Sequence, residues 1–574
     1  MPCKPVNYFA LGAILLLLRP GIHAAETVSP TPIDDSPAVV IGGHAVSNYV
    51  LSKYHQRFIN SIQQNEHREI AAEENAGWMK QFLTQQVIMA HAEALGYTQR
   101  PEVVDIVARM ERNMLTQPNG PFYQDFLPQL PATEQVLREQ FARTSRLLDA
   151  TVVRFPDADA AVKKLGPDFE KAEVSEQNRR VFSSLQQDET AEQINGRCNW
   201  PFPPLVEAAD PISSAKRGQW VLHRDAALGL YCIFIRSEEL LPPGDFEQQK
   251  DGFRAFELHT RQEVVQRRHR AELLQAAGFS TEARLVRQLA KNCASMLPGT
   301  GEIGPEIVQA FATQPLCHYR AGAENFVVSV EEFRRHFNRQ FVRVPLRSAL
   351  DLRGKIEDMV IEELDFRAAR ARGVDRAPQF VQDRLGFAGF QVLDLYEKEV
   401  LIPQLGLGAS EIEKYYRAHA ADFEQTTKFQ GRLLRFSSME NAGKWLQQFV
   451  RPTSGEASPV PDSDEQLALT SANPLPGLEP FHLNFVQGAA GAKFGPLPDG
   501  NGVAIFIRGK TLETATTPLP EVTAQIRQTL TRQGLDQRER ELAPVLVANY
   551  AVEDHLDYVR YGVTPTTAGA PWHK

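Results

Sequence analysis

The sequence predicts an α+β chain organised as two tandem modules. Three observations carry that reading. Two distant phrases nearly coincide: "LGLYCIFIRSEE" near residue 230 and "GNGVAIFIRGKT" near residue 502, each a glycine, an apolar run and Ile-Arg. Both are preceded by the same order of signals: a β-type opening, amphipathic helices, a β run and a short helix. Both are followed by a long Arg/Gln-rich amphipathic helix. Self-similarity at this length reads as a domain duplication, because solenoid repeats run ~20–50 residues. The 574 residues suffice for roughly three to five domains of ~100–200 residues. A hydrophobic fraction of 43% and a charged fraction of 23% suit a chain that buries a core. A net charge of −9 argues against a nucleic-acid partner, which calls for a basic footprint.

The first element reads as an export signal. Lys4 precedes an apolar run from Tyr8 to Leu18, which Arg19, Pro20 and Gly21 break. The run is too short to cross a bilayer but fits a signal-peptide core over residues 1–25, with cleavage near Ala24 or Ala25. No apolar stretch of ~18 residues follows, so no stable membrane span is expected.

A helical region is expected over 38–144. It opens with "AVVIGGHAVSNYVLSKYHQRF"; Trp78, Phe82, Val87, Ile88 and Leu95 then recur at helical spacing, with Gly96 as the stop and Pro101 in the next first turn. The same reading recurs over 322–425. Ile356, Val360, Leu364 and Ala368 share a helix face there, and Gly373 ends it. Small α/β domains are expected at 145–240 and 426–512, with β runs at Thr151–Phe155 and Arg432–Phe436, each leading into a helix. Closing helices follow at 241–285 and 513–560, and 561–574 reads as a disordered tail.

Cys3 leaves with the leader, so Cys198, Cys232, Cys293 and Cys317 remain. Four cysteines in an exported chain allow three pairings; nearness in sequence favours Cys198–Cys232 and Cys293–Cys317 over four buried thiols. None has CxxC spacing, and no HExxH, GxSxG or Walker pattern occurs, so neither metal nor cofactor is expected.

The order of features resembles the parvulin-type prolyl isomerases and the SurA- and PpiD-like periplasmic chaperones. "VVIGGHAVSNYVLSKY" and "NFVVSVEEFRR" stand where that family opens its helical region. "INGRCNWPF" carries Gly196 and Trp200 in the family's loop, "AKRGQ" carries Gly218 at a helix end, and Gly495-Pro496 precedes the last hairpin of the second copy. The resemblance implies a four-stranded antiparallel sheet in each small domain. It implies an ATP-independent chaperone for unfolded or nascent exported polypeptides, without a cofactor, in the periplasm of a Gram-negative bacterium. Two alternatives accompany it: an active peptidyl-prolyl cis–trans isomerase with a non-standard site, and a dedicated adaptor for one partner.

The resemblance also places the family's paired histidines. In the first copy Thr151 and Tyr231 occupy those positions, and in the second Arg432 and Ala504 do, so all four imidazoles are replaced. Rotation about an X–Pro bond needs no nucleophile, only a site that holds the twisted imide better than the planar one. Tyr231 and Arg432 are therefore the candidate donors. Phe202, Met439, Phe481 and Phe485 are the candidate pocket or core residues for substrate.

Overall fold

The computed structural model describes residues 33–572, except 67, 118–119, 125, 188–190, 200–208, 243, 295–300, 341–345, 347, 451–459, 476–477 and 500–501. The expected leader over 1–25 and Phe202 lie outside the described residues.

The chain opens with a hairpin, β1 (Pro37–Ile41) and β2 (His44–Ser47). Its turn is Gly42-Gly43 with φ of 58° and 100°, a tight reversal that residues with a Cβ resist. Helices α1 (Asn48–Glu66), α2 (Ala72–Ala94) and α3 (Pro101–Thr116) follow; Pro101 at the first position of α3 lacks only an N–H that would have no helical partner. Then come α4 (Glu134–Arg143), β3 (Arg146–Phe155), α5 (Ala158–Leu165), α6 (Val174–Gln187), β4 (Glu192–Asn199), α7 (Ala209–Ser214), β5 (Trp220–Asp225) and β6 (Gly229–Leu240). The Asp157 carboxylate caps α5 by accepting from the Ala160 N–H at 2.9 Å.

Helix α8 (Phe246–Ala276) is capped by Asp245 and leads to β7 (Ser280–Thr281) and α9 (Ala283–Ala294). A second hairpin, β8 (Pro315–Ala321) and β9 (Glu324–Ser329), enters α10 (Val330–Asn338) through a capping box of Ser329 and Glu332. Helices α11 (Ala349–Ala371), α12 (Pro378–Tyr396) and α13 (Ala409–Ala418) precede β10 (Glu424–Phe436), α14 (Met439–Val450), β11 (Ser463–Thr470), α15 (His482–Gln487), β12 (Lys493–Asp499) and β13 (Gly502–Thr516). The chain finishes with α16 (Leu519–Val547) and β14 (Val552–Asp554). The result is a mixed α+β fold with four antiparallel sheets among the described residues.

Two compact units form. One holds residues 47–56 and 100–388 with the sheet β4-β3-β6-β5 and the smaller sheet β7-β8-β9. There Leu289, Leu316, Val330, Phe333, Ile356 and Val360 bury against one another. Helix α8 is tied to α11 through a buried carboxylate: Asp365 meets His269 Nε2 at 2.9 Å and accepts from the Tyr123 hydroxyl at 2.5 Å. The other unit holds 38–46, 57–99 and 389–574, with the sheets β14-β1-β2 and β11-β10-β13-β12. In it α16 packs along α2, where Gln81 donates to Asp536 at 3.1 Å and His91 meets the Tyr550 hydroxyl at 2.9 Å.

The two closing segments pack crosswise with the opening hairpins. The closing segment over 241–285 packs with the second opening hairpin, through α8 on α11 and β7 on β8. The closing segment over 513–560 packs with the first, through α16 on α2 and β14 on β1. The second hairpin also starts at Pro315, ahead of the expected 322. In the tail, Ala568 and Ala570 are buried, and the Trp572 indole N–H donates to Asp554 at 2.9 Å. β14 supplies that carboxylate, a partner no local sequence signal announces.

Candidate functional site

In the first small domain, residues alternate between two packed faces, as the strand period requires. Leu148, Ala150, Val152, Tyr231, Ile233 and Ile235 face α4, α7 and α8. Val153, Phe155, Leu230 and Cys232 face α5 and α6. Tyr231 is fully buried on the first face, with the cross-strand His223 ring 6.1 Å away. Thr151 pairs with Phe234 in the sheet register, which places it on the second face. Its hydroxyl donates to Asn195 Oδ1 at 2.7 Å and accepts from Arg236. Arg236 also grips Asp149 with two bonds of 3.0 and 2.5 Å, and that carboxylate strengthens its hold on charge. Thr151 is thus locked as a hydrogen-bond relay and not freed as a nucleophile.

The second sheet repeats the strand order and the local register. Phe155 opposes Leu230 as Phe436 opposes Val503, and Arg154 opposes Tyr231 as Arg435 opposes Ala504. Arg432 lies on the face of Leu434, Phe436, Val503 and Ile505, which packs on Ala442 and Trp445 of α14. It points outward, half exposed, into a two-bond pair with Asp464 across β10 and β11. Ala504 lies on the opposite face, buried among Phe429, Leu433, Phe485 and Phe506. Phe485 stacks on Phe506 at 4.2 Å between centroids, and Phe481 packs half-buried against the same cluster. Met439 is 52% exposed at the start of α14, so it is not core.

The positions expected to flank one pocket therefore fall on opposite faces in both sheets. A sheet with both faces packed does not let two such side chains act on one bond. Tyr231 and Arg432 are not brought together with Thr151 and Ala504. A cleft of about 250 Å³ at the start of α8, lined by Arg138, Phe141, Ala142, Ser145, Gly244 and Phe246, includes none of the four.

The cysteines differ from expectation as well. Cys232, Cys293 and Cys317 are free and buried. Burial pushes their thiols up, to about 12, 11 and 12, so thiolate chemistry is suppressed. The register explains the missing Cys198–Cys232 bridge. Cys198 opposes Leu148 on one side of β3 and Cys232 opposes Val153 on the other, some five residues or ~16 Å further along. A disulfide needs Cα atoms within ~7 Å. Cys293 and Cys317 share one core cluster as unpaired thiols. Among the described residues, no group of three or more His, Cys, Asp or Glu is placed to hold a metal, and no helix is long and apolar enough to cross a membrane.

Sequence reasoning missed Arg508. It lies on the aromatic face of the second sheet, only 2% exposed, with its guanidinium carbon 4.3 Å from the Phe429 ring centre. The signal was available: counting by twos along β13 puts Ala504, Phe506 and Arg508 on one face.

No protein-family model matches the chain, and no curated protein matches it. Two solved chains align with it, both from work describing PEB4 and Cj1289 of Campylobacter jejuni as structurally related SurA-like chaperones. One covers 41% of this chain and 98% of its own at 13% identity with a TM-score of 0.22. The other covers 40% and 95% at 13% identity with a TM-score of 0.15.

Proposed function

We propose that this chain is an exported, ATP-independent folding factor that binds unfolded or extended polypeptide, built from two tandem copies of a parvulin-like module. One observation carries the reading. Each four-stranded sheet ends in an eight-residue strand free of proline, β4 or β11, on the side away from its closing hairpin. In β11, Ser463, Asp464, Glu465, Gln466 and Ala468 are exposed. Such an edge offers main-chain hydrogen bonds to any extended chain regardless of its sequence, and apolar cores on both faces keep the template rigid. The opposite edge of the second sheet, β12, carries Pro496, which cannot donate to a ladder. Binding by edge pairing is weak per residue and readily reversed, as release of a client without ATP demands.

Loss of the histidines, together with their replacements facing apart, favours binding over isomerase chemistry. The test is light scattering from a chemically unfolded client protein with and without the full chain, run beside a prolyl-peptide exchange assay. Suppressed aggregation without faster exchange is the expected result. Faster exchange that Tyr231→Phe or Arg432→Ala abolishes would replace this reading with the isomerase. Failure to suppress aggregation, with one partner recovered in pull-downs, would replace it with the adaptor.

A further inference from the structure

The guanidinium of Arg508 is buried without a counter-charge. One Nη donates to the Gly509 carbonyl at 2.6 Å and the other to Thr511 Oγ1 at 2.9 Å, both neutral acceptors. The buried Nε–H meets no acceptor. No carboxylate among the described residues pairs with it. Arginine does not shed its proton in proteins, so the charge stays, and the Phe429 ring offsets only part of its desolvation. A second buried orphan lies against the same ring. His482 is 9% exposed, its Nε2 contacts the Ser471 carbonyl at 3.0 Å, and its Nδ1 has no partner.

The fold itself does not ask for this cation. Arg508 opposes Gly431 in the register, and the matching place in the first sheet is Ile235 opposite Ala150, an ordinary 1%-exposed core residue. A position that isoleucine fills in one sheet holds an uncompensated charge in the other. The neighbouring connection, residues 488–492, consists only of glycine and alanine, with the Phe494 ring against Gly488.

We propose that Arg508 is the anchor of a carboxylate-binding subsite on the second sheet, taking an acidic group of a bound polypeptide. The unused Nε–H and the second hydrogen of an Nη form a planar two-donor fork that matches the two oxygens of a carboxylate. Two sources share that chemistry, the C-terminal carboxyl of a client and an Asp or Glu side chain. The inference rests on the polypeptide-binding reading above and adds a ligand group to it.

Three N-acetylated Ala/Phe pentapeptides test it against the full chain by fluorescence anisotropy: a C-terminal acid, its amide, and an amide with a central Glu. The Arg508 Nε–Hε resonance is followed in parallel, assigned by its loss in Arg508→Ile. The acid or the Glu peptide is expected to bind about tenfold more tightly than the plain amide and to shift that resonance, and Arg508→Ile is expected to erase the preference. A preference for the acid alone assigns the C-terminus; one for the Glu peptide alone assigns side chains. Should Arg508→Ile not fold, Arg508→Lys, which keeps charge but loses the fork, is expected to reduce the preference. Equal binding of all three peptides, or an unmoved resonance, overturns the subsite; client aggregation still suppressed then leaves the chaperone reading standing. Absence of both peptide binding and suppression sinks the two together.

Discussion

The phrases that open β6 and β13 look alike, yet their arginines do opposite things. Counted from Gly229, Arg236 stands one place further along than Arg508 does from Gly502. Arg236 sits at the register shift of its sheet and meets Asp149 and Thr151 near the surface. Arg508 arrives one residue early and turns onto the aromatic face. Because side chains alternate with a period of two, a single-residue offset moves a charge from solvent into a core. Two sheets of one topology can therefore diverge in chemistry without a change in strand order.

The sharpest way to break this comparison is to make the first sheet imitate the second. Ile235→Arg places a guanidinium among Leu148, Val152 and Ile233 with no Phe429 to cover it. It is expected to destabilise that unit by about 3–5 kcal/mol, the cost of an uncompensated buried charge, measured by denaturant unfolding. Retention of wild-type stability would show that both sheets tolerate the cation and that Arg508 is unexceptional. Next in size is Gly431→Ala. A Cβ there would meet the Phe506 ring at 2.3 Å, whereas its counterpart in the first sheet is already Ala150. Overpacking of about 1–3 kcal/mol is expected, with little effect from Ala150→Gly beyond ~1 kcal/mol.

The two units are also expected to answer pH in opposite directions. In the second, burial, then Glu397, hold the Glu539 carboxyl far above the usual carboxylate range. The folded state favours the neutral acid, so this contribution is full below the ordinary value of 4.5 and is lost as pH rises through the raised one. In the first, burial, then Arg112 and Arg339, lower His336 to about 4. The folded state favours the neutral imidazole, so that contribution is full above the ordinary 6.5 and is lost as pH falls toward about 4. Hydrogen exchange should show protection of α16 falling, and that of α10 rising, between pH 5 and pH 8. Glu539→Gln should flatten the α16 response; a shared direction in both helices would refute the contrast. Smallest of all is Arg432→Ala, which removes a half-exposed pair with Asp464 and should cost no more than about 1 kcal/mol. A larger loss would mean that this arginine supports more than the strand edge.

Much of the fold was legible because it is written locally. Period-two runs ending at Phe155 and Phe436, the Asp157 and Ser329 caps, and the prolines at 101 and 378 all act within a few residues. What was not legible depends on partners far off in sequence. Val552–Asp554 is a three-residue strand paired with β1, and its Asp554 accepts from the Trp572 indole N–H. The Cys198–Cys232 separation is illegible for the same reason: nearness along the chain says nothing about which side of β3 a strand joins. At the candidate site, motif matching names strands but not the faces on which their residues lie. Thr151 and Tyr231 were paired by motif, while alternation alone would have separated them.

The pairing of Val39 with Asp554 has a temporal consequence. A ribosome delivers β1 and α2 first and their completing strand and helix last. Until synthesis nears its finish, the opening hairpin has no third strand and α2 has no α16 to cover it. Contacts of such long reach form slowly. The polypeptide thus keeps its opening elements uncovered while it is being made, and its closing segment, α16 with β14, decides when they close.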